Sequence, residues 1–132
     1  MNKIEPLWIL ERVVLAAHDQ LLAAHGGAEG LRDAGLVESA LARPRQHYAY
    51  SFTDLIELAA LYTAGLVRNH PFVDGNKRTG FAIGIVFLEL NGFVFQATEE
   101  DATQSVLGVA AGELDEAGYA AWLRSNVKRR RK

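Results

Sequence analysis

The chain has 132 residues, 49% hydrophobic and 23% charged, with a formal net charge of -2, the balance of a soluble domain long enough to bury a core unaided. It contains no cysteine, which excludes disulfides and thiolate metal sites, and it lacks the overall basic footprint of a nucleic-acid binder. The opening Met1 to Pro6 has no signal-peptide apolar run, and Arg68, Lys77 and Arg78 interrupt the richest apolar region. A cytoplasmic location is therefore expected, with no membrane and no direct nucleic-acid partner.

Apolar residues recur at helical spacing almost throughout and strand-like alternation is nearly absent. The pattern predicts an all-α fold, one compact domain of about six helices over residues 1–132. A first helix is expected from about Pro6 to His25, with Pro6 in its first turn and Gly26-Gly27 as a left-handed stop. Leu7, Leu10, Val14, Ala17 and Leu21 form its inner stripe. After a Gly-rich connector, Asp33 caps a short second helix carrying Leu36, Val37, Ala40 and Leu41, and Pro44 ends it. Gln46 to Ser51 reads as irregular. Thr53 or Ser51 caps a third helix reaching about Asn69, and a fourth runs from near Asn76 to the stop signal at Asn91-Gly92. Phe93 to Gln96 is short and extended. Thr98, followed by Glu99, Glu100 and Asp101, opens a fifth helix with acids where the dipole favours them. Asp115 opens a sixth, with Tyr119, Trp122, Leu123 and Val127 as its apolar face. Residues 128–132, all lysine or arginine, read as a frayed, solvated tail.

The fourth helix is apolar nearly all round, through Phe81, Ile83, Ile85, Val86, Phe87, Leu88 and Leu90, which marks a helix buried at the domain centre. Gly80 and Gly84 lie one turn apart and lower its propensity, so close approach of a neighbouring helix is the expected compensation. The third helix is similarly rich, through Leu55, Leu58, Ala59, Tyr62, Leu66 and Val67. The two are expected to form a central antiparallel hairpin that holds its connecting loop rigid.

That loop reads His70-Pro71-Phe72-Val73-Asp74-Gly75-Asn76-Lys77-Arg78. Gly75 permits a backbone conformation that a Cβ would resist. Asn76 suits a helix cap, which puts Lys77 and Arg78 in the first turn. Cations there face the positive end of the dipole, at about 0.3–1 kcal/mol each when exposed. An anion bound by the free backbone N–H groups and clamped by both side chains relieves the conflict. A phosphate chain fits better than a carboxylate because it can use several donors together. Asp74 is placed to hold Mg²⁺ against the phosphates, since magnesium takes only one or two protein carboxylates. Histidine titrates near neutrality, so the imidazole of His70 can accept a proton from an attacking hydroxyl. Singly these residues read as ordinary turn, cap and surface groups. Together that account leaves two cations at the wrong helix end without a reason. Outside the loop, Arg32 and Arg68 read as snorkelling surface arginines and Asp33 as a cap. His18, His25 and His47 show no ligand spacing, so no zinc site is expected.

The run resembles the Fic signature, His-x-Phe-x-Asp/Glu-Gly-Asn-x-Arg, and with Lys77 after Asn76 it is most similar to the death-on-curing (Doc) branch of the Fic/Doc superfamily. The stretch from Gly30 to Pro44 also resembles that branch, so the likeness covers nearly the whole chain. The resemblance implies a Fic-fold domain, with His70 as base and Asp74 as the metal-associated carboxylate. It further implies that Gly75, Asn76, Lys77 and Arg78 contact the phosphates of ATP. AMP-transferring members carry glycine where this chain has Lys77 and a second arginine where it has Phe81. Both departures favour the reversed nucleotide placement in which the terminal phosphate is transferred. The implied function is the toxin of a toxin–antitoxin pair, a protein kinase acting on a threonine of elongation factor Tu and stopping translation. Thr53 to Glu57 has the spacing of the family's inhibitory helix, but Leu58 follows instead of glycine or asparagine. Inhibition is therefore expected in trans, from a cognate antitoxin. The alternatives are an AMP-transferring enzyme on the same fold and a non-catalytic anion-binding module in a repressor complex.

Overall fold

A computed structural model describes residues 5–51 and 53–131. The opening Met1 to Ile4 and Lys132, the last of the basic run, lie outside the described residues. Six helices account for most of the chain, with two three-residue strands among the described residues, and the all-α expectation holds.

Helix α1 spans Glu11–His25 and starts five residues later than expected from Pro6. The reason is tertiary. Leu7 donates its N–H to Asn91 Oδ1 at 2.8 Å and accepts from Asn91 Nδ2 at 3.0 Å, while the Ile9 N–H donates to the Tyr62 hydroxyl at 3.1 Å. With those backbone groups bonded to distant partners, residues 7–9 stay outside the helix. Leu7 and Leu10 are consequently exposed, and the buried α1 residues are Val14 and His18.

Helix α2 spans Ala34–Tyr50, with the Asp33 carboxylate accepting from the Gly35 N–H at 2.9 Å. It continues through Pro44 rather than ending there. An interior proline costs about 3 kcal/mol, and three contacts offset it. Ala40 lies under Gly65 of the next helix, Arg43 pairs with Glu116, and the Tyr48 ring packs edge-on against Trp8 at 5.4 Å. The tyrosine-rich stretch is therefore helical up to the C-cap Ser51.

Helix α3 spans Leu55–Asn69 and is capped by Asp54, which accepts from the Glu57 N–H at 2.8 Å. Thr53 and Ser51 do not cap it; the buried Thr53 hydroxyl bonds the His47 carbonyl of α2 instead. Helix α4 spans Asn76–Leu90. Eleven of the fifteen α3 residues are buried against seven of α4, so α3, flanked by α2, α4 and α6, is the true centre. The expectation that α4 is covered all round is corrected: Phe81, Ala82, Ile85 and Val86 are only half-buried.

Close approach of the two helices is as expected from their glycines. A Cβ on Gly80 would lie 3.1 Å from the Thr63 carbonyl, and one on Gly84 3.1 Å from that of Ala59. The Thr63 hydroxyl crosses the same contact to the Gly80 carbonyl at 2.8 Å.

Strand β1, Phe93–Phe95, pairs antiparallel with β2, Val127–Arg129, in the register Phe93 to Arg129. Between them lie α5, Glu99–Ala110, capped by Thr98, and α6, Glu116–Arg124, capped by Asp115. The basic run is thus not frayed at its start. The Arg129 guanidinium sits 4.9 Å from the Phe93 ring centroid, and Arg130 donates to the Glu89 carbonyl at 3.0 Å, near the C-terminal end of α4. Among the described residues, no helix is long and apolar enough to cross a membrane.

Candidate active site

The loop between α3 and α4 is fastened at both ends from outside itself. Helix α3 terminates at His70, which sits in the left-handed region at φ 55° and ψ 53°. A non-glycine residue there is under mild strain, and Arg32 opposes its release. The Arg32 guanidinium donates from Nε to the His70 carbonyl at 2.9 Å and from Nη2 to the Asn69 carbonyl at 3.1 Å. It thereby serves as the C-terminal cap of α3. Arg32 is itself placed by the main chain, since its N–H and that of Asp33 both donate to the Pro71 carbonyl, at 2.7 and 3.1 Å. One antiparallel bridge, Leu31 to Phe72, completes this short ribbon, with the Val73 N–H donating to the Gly30 carbonyl at 3.0 Å.

Phe72 anchors the middle of the loop and is 2% exposed. Its backbone is clamped by Asn76, whose Oδ1 accepts from the Phe72 N–H and whose Nδ2 donates to the Phe72 carbonyl, both at 2.9 Å. Asn76 is therefore the first residue inside α4 and not its cap. The cap is Gly75, at φ 82°, which offers no side chain to the helix. The sequence signal for Asn76 as a cap was sound locally, but the loop requires that amide for its own closure.

An uncapped helix start is left behind. The first α4 hydrogen bond runs from Thr79 N–H to the Gly75 carbonyl at 3.0 Å, so the Asn76, Lys77 and Arg78 amides precede the ladder. Lys77 and Arg78 are exposed and neither belongs to any ion pair among the described residues. Asp74 is exposed beside them, its Oδ1 accepting from the Gly75 N–H at 2.8 Å and its Oδ2 from the Ala28 N–H at 3.2 Å. These two amide bonds, with the Arg78 and Lys77 charges adding to them, hold the Asp74 carboxyl below the ordinary carboxylate range.

His70, Asp74, Gly75, Asn76, Lys77 and Arg78 all line one groove of about 890 Å³, within the range of small-molecule sites. Its continuation is mostly apolar, with Phe81, Ile85 and Val86 of α4, Phe95 of β1, and Ala102 and Val106 of α5, though Thr98, Glu99 and Thr103 share that wall. That continuation explains why α4 keeps one half-buried face. Among the described residues, no three His, Asp or Glu side chains gather as a metal site. A single ionised carboxylate beside two cations fits a magnesium ion that arrives with phosphates and shares them; it does not fit an all-protein metal cage.

Arg68 lies elsewhere, paired with Glu116 at 3.5 Å and bonded to the Leu114 carbonyl at 3.3 Å. Three supporting groups escaped the sequence: Arg32, the Ala28 amide and His18. The ring of His18 is 3% exposed, stacks on Phe72 at 3.7 Å, and brings Nε2 to 2.8 Å from the Asp74 carbonyl. Its spacing of four from Val14 was a signal that it shares the buried face of α1; nothing local names Asp74 as the partner.

The model of the Fic/DOC family matches residues 8–88, which takes in this loop and nearly all of its hairpin, and the chain belongs to that family. Within it the relatives by sequence are Doc proteins. The protein kinase doc of Escherichia phage P1 is 35% identical over 113 residues, 84% of this chain and 88% of that one. The toxin Doc of Mycolicibacterium smegmatis is 42% identical over 71 residues, covering 52% of this chain and 55% of that protein. Among solved structures, the ADP-bound N-terminal Fic domain of a Bartonella quintana VirB-translocated Bep effector aligns with a TM-score of 0.49 and 16% identity. The alignment takes in 72% of this chain and 49% of that one, so the chain spans about half its length.

Proposed function

We propose that the chain is the toxin of a toxin–antitoxin pair, acting in the cytoplasm as a protein kinase that moves the γ-phosphate of ATP to a protein hydroxyl. The observation that carries this reading is the groove itself. Two cations without ion-pair partners among the described residues and an uncapped helix start line it, and His70 lines the same space. The name of the phage relative, protein kinase doc, points the same way, as does Lys77 in place of the glycine found in AMP-transferring members.

The chemistry assigned to each group follows from phosphoryl transfer needing position and charge more than covalent help. The Asn76, Lys77 and Arg78 amides, with the Lys77 and Arg78 side chains, bind the phosphate chain. The imidazole of His70 takes the proton of the attacking hydroxyl as its oxygen bonds to the γ-phosphorus. The bond from that phosphorus to the β–γ bridging oxygen breaks, and ADP leaves with the electron pair. Lys77 and Arg78 stabilise the negative charge accumulating on the leaving oxygen. Asp74 would hold magnesium, which when bound neutralises phosphate charge. The substrate is a threonine of an elongation factor of the Tu kind, and a cognate antitoxin silences the enzyme in trans.

The test is label transfer to elongation factor Tu with ATP carrying ³²P at the γ or the α position. Labelling from the γ position, abolished by His70→Ala and Lys77→Ala, is the expected result. Labelling from the α position would assign AMP transfer instead. Growth arrest on expression that survives His70→Ala would speak for a passive anion-binding module.

A further inference from the structure

We infer that His18 is the positioning residue that aims the Asp74 carboxylate into the groove, an inference that deepens the phosphotransfer reading and rests on it. His18 makes two contacts of different kinds. Its ring stacks on Phe72 with centroids 3.7 Å apart and planes 7° from parallel, a contact any flat ring of similar size supplies. Its Nε2 meets the Asp74 carbonyl at 2.8 Å, which no apolar ring supplies. A carbonyl only accepts, so Nε2 carries the proton and donates. A buried imidazole is a poor choice for packing alone, because its polar nitrogens are costly to desolvate unless bonded.

The bond falls on the residue of the loop that most needs it. The peptide following Asp74 leads into Gly75 at φ 82°, a position where no Cβ resists rotation. Turning that peptide would swing the Asp74 carboxylate away from the Gly75 and Ala28 amides that now hold its two oxygens, at 2.8 and 3.2 Å. Helix α1 supplies the fixed point, and the loop after it supplies the rest of the cradle. Gly27, at φ 127°, passes so close that a Cβ there would stand 2.9 Å from Asp74 Oδ2. The restraints on Asp74 from outside its own loop therefore come from α1 and its extension. A side chain borne on a helix holds such a geometry more firmly than one on a loop.

The experiment titrates Mg²⁺ into wild type, His18→Phe, His18→Met and His18→Gln at fixed ATP, following nucleotide binding by calorimetry, with amide exchange of Ala28 and Gly75 followed by NMR. Glutamine can place an amide N–H where Nε2 donates; phenylalanine keeps only the stack and methionine only the bulk. Losing an outer hydrogen bond to a metal ligand typically weakens metal affinity 10–100-fold. The half-saturating Mg²⁺ concentration is thus expected to rise on the order of tenfold in the Phe and Met variants. Glutamine should restore it, with magnesium-free ATP affinity unchanged in all four proteins. An unmoved Mg²⁺ requirement in a folded Phe or Met variant overturns the inference, whatever happens to its melting temperature. So does a raised requirement in a folded Gln variant. If wild type itself ignores magnesium and ATP, the phosphotransfer reading fails, and the amides decide the matter separately. Faster Ala28 and Gly75 exchange in the Phe variant but not the Gln variant upholds the positioning role; equal exchange removes it.

Discussion

Replacing Asn76 with alanine separates two roles that one side chain cannot fill together. Asn76 is 4% exposed and makes two 2.9 Å hydrogen bonds to the backbone of Phe72, itself 2% exposed. Alanine removes both and leaves the Phe72 N–H and carbonyl without those partners in a buried position. Each neutral hydrogen bond contributes roughly 1 kcal/mol net, and each orphaned buried group costs about 1–3 kcal/mol, so a loss of about 2–4 kcal/mol is expected. For a domain of this size that lowers the melting temperature by roughly 10 °C. The main-chain N–H at position 76 survives the change, as do Lys77 and Arg78. ATP affinity measured at low temperature, where the variant remains folded, should therefore stay within about threefold of wild type. Thermal unfolding by circular dichroism and calorimetric ATP titration provide the two readings. An unchanged melting temperature with ATP binding abolished would refute the reasoning, because it would assign the Asn76 amide to the nucleotide and not to the loop.

Gly84→Ala should destabilise by about 1–2 kcal/mol in urea unfolding, because the new Cβ would run into the Thr63 hydroxyl, which is buried and bonded to the Gly80 carbonyl, and would stand 3.1 Å from the Ala59 carbonyl, a cost that outweighs the roughly 1 kcal/mol gain in helix propensity; a gain in stability would mean the α3–α4 contact is looser than described. Asp74 is held below the ordinary value of 3.8, chiefly by the Ala28 amide, so the stability it contributes is present above that value and is lost only as pH falls through the lower folded value. The melting-temperature gap between wild type and Asp74→Asn should therefore be constant from pH 7 to about pH 5 and close progressively in more acid solution. A gap that closes between pH 6 and 5 would place its origin elsewhere. Arg32→Ala frees the carbonyls of Asn69 and His70 and should lower kcat on the order of tenfold by loosening the base. Arg32 does not line the groove, so the KM for ATP should be unchanged; a raised KM with normal kcat would make it a nucleotide contact instead.

How much of this was legible beforehand depended on how far apart the interacting groups lie in the chain. The caps Asp33, Thr98 and Asp115 bond amides two or three residues onward, and such signals can be read from a short window. The same holds for the end of α4 at Asn91-Gly92 and for the cation pair at the start of that helix. Gly80 and Gly84 announced a close neighbour without naming it. Local signals also misled where a distant partner outbid them. Pro6 was a credible helix start until Asn91 and Tyr62 took the backbone bonds of Leu7 and Ile9. Pro44 was a credible stop until packing against α3 and the pairing of Arg43 with Glu116 carried α2 past it.

The order of residues alone determined the helix count and brought a base, a carboxylate and two cations into nine consecutive positions, because helix periodicity and turn chemistry act over a few residues. It could not disclose the supports of that loop. His18 reaches Asp74 across 56 positions, Ala28 does so across 46, and Arg32 reaches His70 across 38. The isolated bridge from Leu31 to Phe72 is likewise non-local. Those contacts exist only once α1, the connector and the α3–α4 hairpin have packed, since hydrogen bonds of 2.8–3.2 Å require a geometry that the intervening chain does not encode locally. Tertiary structure alone decided which side of α4 stays open as a groove and where the Asp74 carboxylate points.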